Sequence, residues 1–203
     1  MKSALPKIVY CLLAIVVITA VGILLFRAKI FASDIINGDQ QMIDLGQGFG
    51  SRNVRVSVNK NVGKIEIEKN LFSSCNTELT GFQNETKIRG TISLGNNEKA
   101  VEVVGDAGIH GENRQYFTIE NNFCPKPISF VKNDTVSYNI YSDEPIFLLQ
   151  DFNADGITDL AAEYRNYDLN PIVDGTRDIY LFDRKNQQFV FKRTESFQYQ
   201  ELD

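Results

Sequence analysis

Two stretches, NVRVSVN at residues 53–59 and KIEIEK at residues 64–69, alternate apolar and polar side chains without a break. Period two puts every second side chain on one face of an extended chain, which is the pattern of a half-buried strand and not of a helix. Short β-prone runs follow: KIRGTISL, KAVEVVG, QYFTIEN, PISFVK, TVSYNIY, PIFLLQD, ITDLAAEY, RDIYLFD and QFVFKR. Turn-forming pieces such as Gly95-Asn96-Asn97 and Lys132-Asn133-Asp134 separate them. No long stretch beyond the N-terminal apolar segment repeats at helical spacing. The expected fold is all-β: one antiparallel domain over residues 51–203, large enough for a core of its own. The 14 Phe and 8 Tyr are read as core or cross-strand partners.

Ile8 to Phe26 is a run of 19 residues without a charge. As a helix it is about 28 Å long, close to the hydrocarbon thickness of a bilayer. A cleaved secretory signal is the rival, because Lys2 and Lys7 precede the run as a basic n-region does. A signal core is shorter, and Arg27, Lys29 and Phe31 follow where small residues would mark a cleavage site. The expectation is a single transmembrane signal anchor at residues 8–27, with residues 1–7 in the cytoplasm, a linker at 28–50 and the β domain outside, in the periplasm. Cys11 packs within the span as a small hydrophobe. The linker reading rests on a polar composition ending in Gly46, Gly48 and Gly50. A phosphate loop is not expected there, since no strand pattern is read before the glycines, no amphipathic helix follows and there is no Lys-Ser or Lys-Thr pair.

Residues 1–33 hold Lys2, Lys7, Arg27, Lys29 and no acid, which leaves 17 basic against 26 acidic groups, a net charge of −9, on the remainder. That balance argues against nucleic acid and suits a cationic partner or a metal. Cys75 and Cys124 are the only cysteines outside the apolar run. An even pair in an exported domain points to a disulfide, with two buried free thiols as the alternative.

The segment DFNADGITDL at 151–160 gathers Asp151, Asn153, Asp155 and Asp159 around Gly156. Side-chain oxygens fall at positions 1, 3 and 5, a glycine at position 6 allows the sharp turn, Ile157 at position 7 offers its carbonyl, and Asp159 at position 9 ligates directly or through water. Hard oxygen donors without His or Cys select Ca²⁺. An EF-hand is excluded, because position 12 is Ala162 and the flanks, PIFLLQ and ITDLAAEY, read as strands. An ion-free acidic turn is the alternative.

This loop resembles the calcium loop of FG-GAP repeats, D-x-[DN]-x-D-G-x-x-D-L between two strands. A full propeller needs at least four blades, and one copy here excludes it. The segment from Ile146 onward, with the loop, an insert, the strand RDIYLFD, a turn and QFVF, is similar to the C-terminal module of single-loop bacterial envelope proteins. The resemblance implies kinship with periplasmic lysozyme inhibitors and with immunity proteins against peptidoglycan hydrolases. No inhibitory loop motif is recognisable in residues 50–145.

Catalytic groups are sparse. The only histidine, His110, lies in a glycine-rich turn, and Glu112, Glu163 and Asp168 are the carboxylates that could pair for glycoside cleavage. The expectation is therefore not an enzyme. It is a membrane-anchored, calcium-binding periplasmic protein whose partner is a peptidoglycan hydrolase or lysozyme-like protein that it inhibits. A structural or adhesion subunit of a cell-envelope complex is the alternative.

Overall fold

Val54, Val56 and Val58 of NVRVSVN and Ile65 and Ile67 of KIEIEK are all buried, so the alternating pattern becomes one apolar face of a sheet. The computed structural model describes residues 38–46, 48–59, 62–70, 73–82, 85–106, 112–142, 146–166 and 172–200, together with Val17, Thr19 and Val21. The chain divides into a unit over Met1–Ile36 and a compact unit over Asn37–Asp203. In the first unit Val17, Thr19 and Val21 are helical and exposed; the rest of the expected membrane span, residues 8–27, lies outside the described residues.

The second unit is all-β. Its strands are β1 (Gly38–Asp44), β2 (Ser51–Asn59), β3 (Val62–Asn70), β4 (Ser73–Leu79), β5 (Thr86–Ser93), β6 (Lys99–Asp106), β7 (Glu112–Ile119), β8 (Pro125–Pro127), β9 (Ser129–Lys132), β10 (Thr135–Ser137), β11 (Ile140–Ser142), β12 (Ile146–Gln150), β13 (Asp159–Asn166), β14 (Ile172–Asp183) and β15 (Gln188–Gln200). They form three sheets, ordered β1-β2-β3-β4, β11-β7-β6-β5 with β8 also on β7, and β10-β9-β15-β14-β13-β12. Pairing is antiparallel as expected, with one exception: β15 runs parallel to β9, Phe189 opposite Phe130. These two strands are joined through β10 to β14 and not by a hairpin, so nothing local imposes an antiparallel approach.

The linker expected at 28–50 is corrected from Gly38 onward. Gly38–Asp44 pairs residue by residue with β2, and Ile43 and Leu45 enter the core at 8% and 2% exposure. An edge strand is held mainly by backbone hydrogen bonds, so GDQQMID needs only a few apolar anchors to join the sheet. Its polar side chains then act at the next seam. Asp39 Oδ2 accepts from Ile88 N at 3.0 Å and Gln41 Nε2 donates to Ile88 O at 2.8 Å, which satisfies the open edge of β5 with side chains. On the opposite side the Cys75–Cys124 disulfide, with a Cα–Cα distance of 4.9 Å, and a Thr77 hydroxyl donating to Pro125 O tie β4 to the β7–β8 segment. Sewn along both edges, the first two sheets close into a flattened barrel.

One core was expected and two are found. The first fills the barrel with the valines and isoleucines of β2 and β3, Phe82, Val101, Val103 and Phe117. The second lies between the middle sheet and the third, around Tyr116, Phe130, Tyr180, Phe182 and Phe189, whose rings meet edge-to-face or, for Phe130 and Phe189, stacked at 5.3 Å. The central strands of the middle sheet, β6 and β7, are therefore buried on both faces over Val101–Val103 and Asn113–Phe117. On β6, Val101 and Val103 face the first core while Ala100 faces the second. A strand buried on both faces reads as a nearly continuous apolar run, which is how KAVEVVG reads. On β5 a bulge between Ile88 and Gly90 shifts the register. Ile88 consequently faces the barrel and Ile92 the second core, although their spacing would place them on one face of a regular strand. Glu102 is also buried here, accepting from Arg114 Nη1 at 3.1 Å and from the Tyr116 hydroxyl at 3.0 Å. The Arg114 guanidinium lies 4.1 Å from the Phe147 ring centroid.

Candidate functional site

The acidic loop joins β12 to β13, and its side chains fold back on its own backbone. Asp151 accepts from Asp155 N at 3.1 Å through one oxygen and from Gly156 N at 2.8 Å through the other. Asn153 Oδ1 accepts from Asp155 N at 3.2 Å, and Asp155 Oδ1 from Ile157 N at 2.8 Å. Ala154 and Gly156 take left-handed backbone angles, φ 60 and 81, which turn successive N–H groups toward these oxygens. The Ile157 side chain packs on the second core and anchors the loop. The loop also touches the end of β5, since Thr158 N donates to Ser93 O at 2.9 Å.

Asp159 behaves differently from the others. It is fully buried, and its two oxygens accept from Phe152 N at 3.0 Å and Phe182 N at 2.9 Å. It thus couples the start of the loop to β14, a role the sequence spacing did not reveal because Phe182 is 23 residues away. Burial raises its pKa above the usual carboxylate value, and the charges of Asp155 and Asp151 push in the same direction against the two backbone donors. Asp151 is held below its ordinary value, chiefly by the Gly156 N–H.

The donor set suits a hard cation: carboxylates of Asp151, Asp155 and Asp159, the amide oxygen of Asn153 and the Ile157 carbonyl, with neither sulfur nor imidazole. Among the described residues, no three His, Cys, Asp or Glu side chains come together as a ready-made metal cage. Asn153 Nδ2 instead donates to Asp155 Oδ2 at 2.9 Å across the mouth of the turn.

Two of the carboxylates considered for glycoside chemistry sit in ion pairs. Glu112 meets Arg114 Nε at 2.5 Å and Arg89 at 4.0 Å, and Glu163 meets Arg165 at 2.9 Å and Arg177 at 3.7 Å. His110 and Asp168 lie outside the described residues. Cys75 and Cys124 are bridged as expected. Set beside protein-family models, curated proteins and solved structures, the chain matches none.

Proposed function

We propose that this chain is a membrane-anchored periplasmic protein whose β-scaffold is braced by Ca²⁺ at the 151–159 loop and which binds and blocks a peptidoglycan hydrolase. The observation that carries the calcium part is the loop geometry, which folds the side-chain oxygens of Asp151, Asn153 and Asp155 into one turn beside the fully buried Asp159. Its carboxylate is buried and repelled by Asp151 and Asp155, so a cation among the loop oxygens would remove an unfavourable charge cluster. A bound calcium would supply charge neutralisation and a fixed loop geometry, and no chemistry beyond that. The disulfide supports placement in an oxidising compartment. The hydrolase as target rests on the likeness of residues 146–202 to envelope inhibitors, and the net charge of −9 beyond residue 33 favours a cationic enzyme.

The test is thermal unfolding of the full chain with and without calcium, paired with a turbidity assay of cell-wall lysis by several lysozyme-type enzymes. A ligand at 100 times its Kd adds about 2.7 kcal/mol, which is roughly 5–10 °C for a unit of this size. Asp151→Ala with Asp155→Ala should abolish the increment, and magnesium should give much less of it. Equal melting in calcium and chelator would refute the calcium reading, and undiminished lysis across the panel would refute the inhibitor reading. A structural or adhesion subunit is the second reading. It is favoured by the edge strands β10 and β12, where Val136 is 57% and Leu149 36% exposed and unpaired backbone groups could take a further strand.

A further inference from the structure

We infer that the end of the flattened barrel carries a binding site for a single neutral sugar ring. A cavity of about 250 Å³ opens there between the β1–β2 loop, the β5–β6 turn, the β7–β8 hairpin and the β14–β15 turn. It is smaller than the ~300–1,000 Å³ of sites for drug-sized ligands, so it holds one ring.

Its walls are held in place before any ligand arrives. In the β1–β2 loop Gly46, Gly48 and Gly50 all have positive φ. Gly46 O accepts from Phe49 N and Gly50 N, and Gly46 also forms a β-bridge with Glu98. A Cβ on Gly46 would come within 2.2 Å of Asn97 O, so only glycine allows this approach. The loop delivers the Phe49 ring to the cavity, where it meets Phe123 edge-to-face at 5.3 Å. Phe123 precedes Cys124, whose disulfide and whose carbonyl, accepting from Glu120 N at 3.0 Å, fix the β7–β8 loop. Binding therefore orders little that is not already ordered.

The lining selects the class of ligand. Leu45, Phe49, Leu94 and Ile119 give it an apolar side. The charges around it cancel: Lys99 is paired with Asp44 at 2.7 Å, Glu98 with Arg184 at 3.8 Å, and Glu120 and Lys126 bring opposite signs from one hairpin. A ligand with a net charge gains no field from such a rim. Thr118, Asn121 and Gln187 add neutral hydrogen-bonding groups. A sugar ring carries no charge, presents a C–H face to aliphatic and aromatic side chains, and turns a hydroxyl edge toward donors and acceptors. It meets each of these demands together, and it does so whether or not the domain inhibits a hydrolase.

Saturation-transfer NMR on the full chain in phosphocholine-detergent micelles tests this, with N-acetylglucosamine as probe and arginine amide, acetate and leucine as charged or zwitterionic controls. Transfer to the sugar ring protons is expected, with a Kd on the order of 1 mM. Asn121→Ala and Thr118→Val, each removing one surface hydrogen-bonding group, should weaken binding roughly fivefold with unchanged melting temperature; Phe49→Ala should abolish it. Absence of transfer at about ten times that Kd, undiminished transfer in both the Asn121 and Thr118 variants, or preference for any control over the sugar would overturn the assignment.

Discussion

Replacing Asp159 probes the loop and the sheet at once, because one carboxylate satisfies two backbone donors that belong to different elements. In Asp159→Ala, Phe152 N and Phe182 N both lose their acceptor. The Phe182 donor is buried and would bear a full desolvation penalty of about 1–3 kcal/mol, while the Phe152 donor is partly accessible and would cost about 1 kcal/mol. The sum is roughly 2–4 kcal/mol of lost stability, a melting decrease of about 4–16 °C. Asp159→Asn keeps one acceptor oxygen but sets an amide N–H against a backbone N–H, so it should fall between wild type and Ala. The two variants also separate charge from hydrogen bonding by their pH dependence. A carboxyl whose folded pKa is raised adds stability that is complete below the unfolded value of 3.8 and is lost as pH rises through the folded pKa. In calcium-free buffer the stability advantage of wild type over Asp159→Asn should therefore be widest below 3.8 and shrink as the pH rises; calcium should restore it at neutral pH. Urea unfolding of the full chain at several pH values, with and without calcium, reads all of this. An Ala variant within about 0.5 kcal/mol of wild type would mean that water reaches Phe182 N and that Asp159 is not the link between loop and sheet.

Opening the Cys75–Cys124 bridge by paired serine substitution should cost about 4 kcal/mol, from a sequence separation of 49 residues. It should also raise the urea m value, because the unfolded chain expands once the seam is free. Glu102→Ala removes one of the two carboxylates on the buried Arg114 guanidinium, which keeps Glu112, and takes away the acceptor of the buried Tyr116 hydroxyl; a loss of about 1–3 kcal/mol is expected in thermal unfolding. Adding Tyr116→Phe to Glu102→Ala should recover part of that loss, and a double variant as unstable as the single one would contradict the assignment of the penalty to the stranded hydroxyl.

The chain's local patterns determined most of its strands, though not β1, β4 or β8, and the content of the acidic loop. Val54, Val56, Val58, Ile65 and Ile67 are buried because alternation fixes the face on which each side chain stands, and that needs no distant partner. The disulfide was also legible, since only Cys75 and Cys124 stand outside the apolar run. Layering was not. GDQQMID carries no alternation strong enough to mark a strand, and its place in the sheet depends on β2 and on the edge of β5, whose Ile88 meets Asp39 across 49 positions. KAVEVVG marked a strand but not that its two faces serve different cores, and a bulge at Gly90 that flips the side chains of β5 is visible only in its register with β6. The same limit applies at the site. Spacing gathered Asp151, Asn153, Asp155 and Asp159 into one turn, but only the folded sheet brings Phe182 N to Asp159 and withdraws that carboxylate from water. Periodicity records which face a residue stands on; which surface meets that face is decided by contacts between segments far apart in the chain.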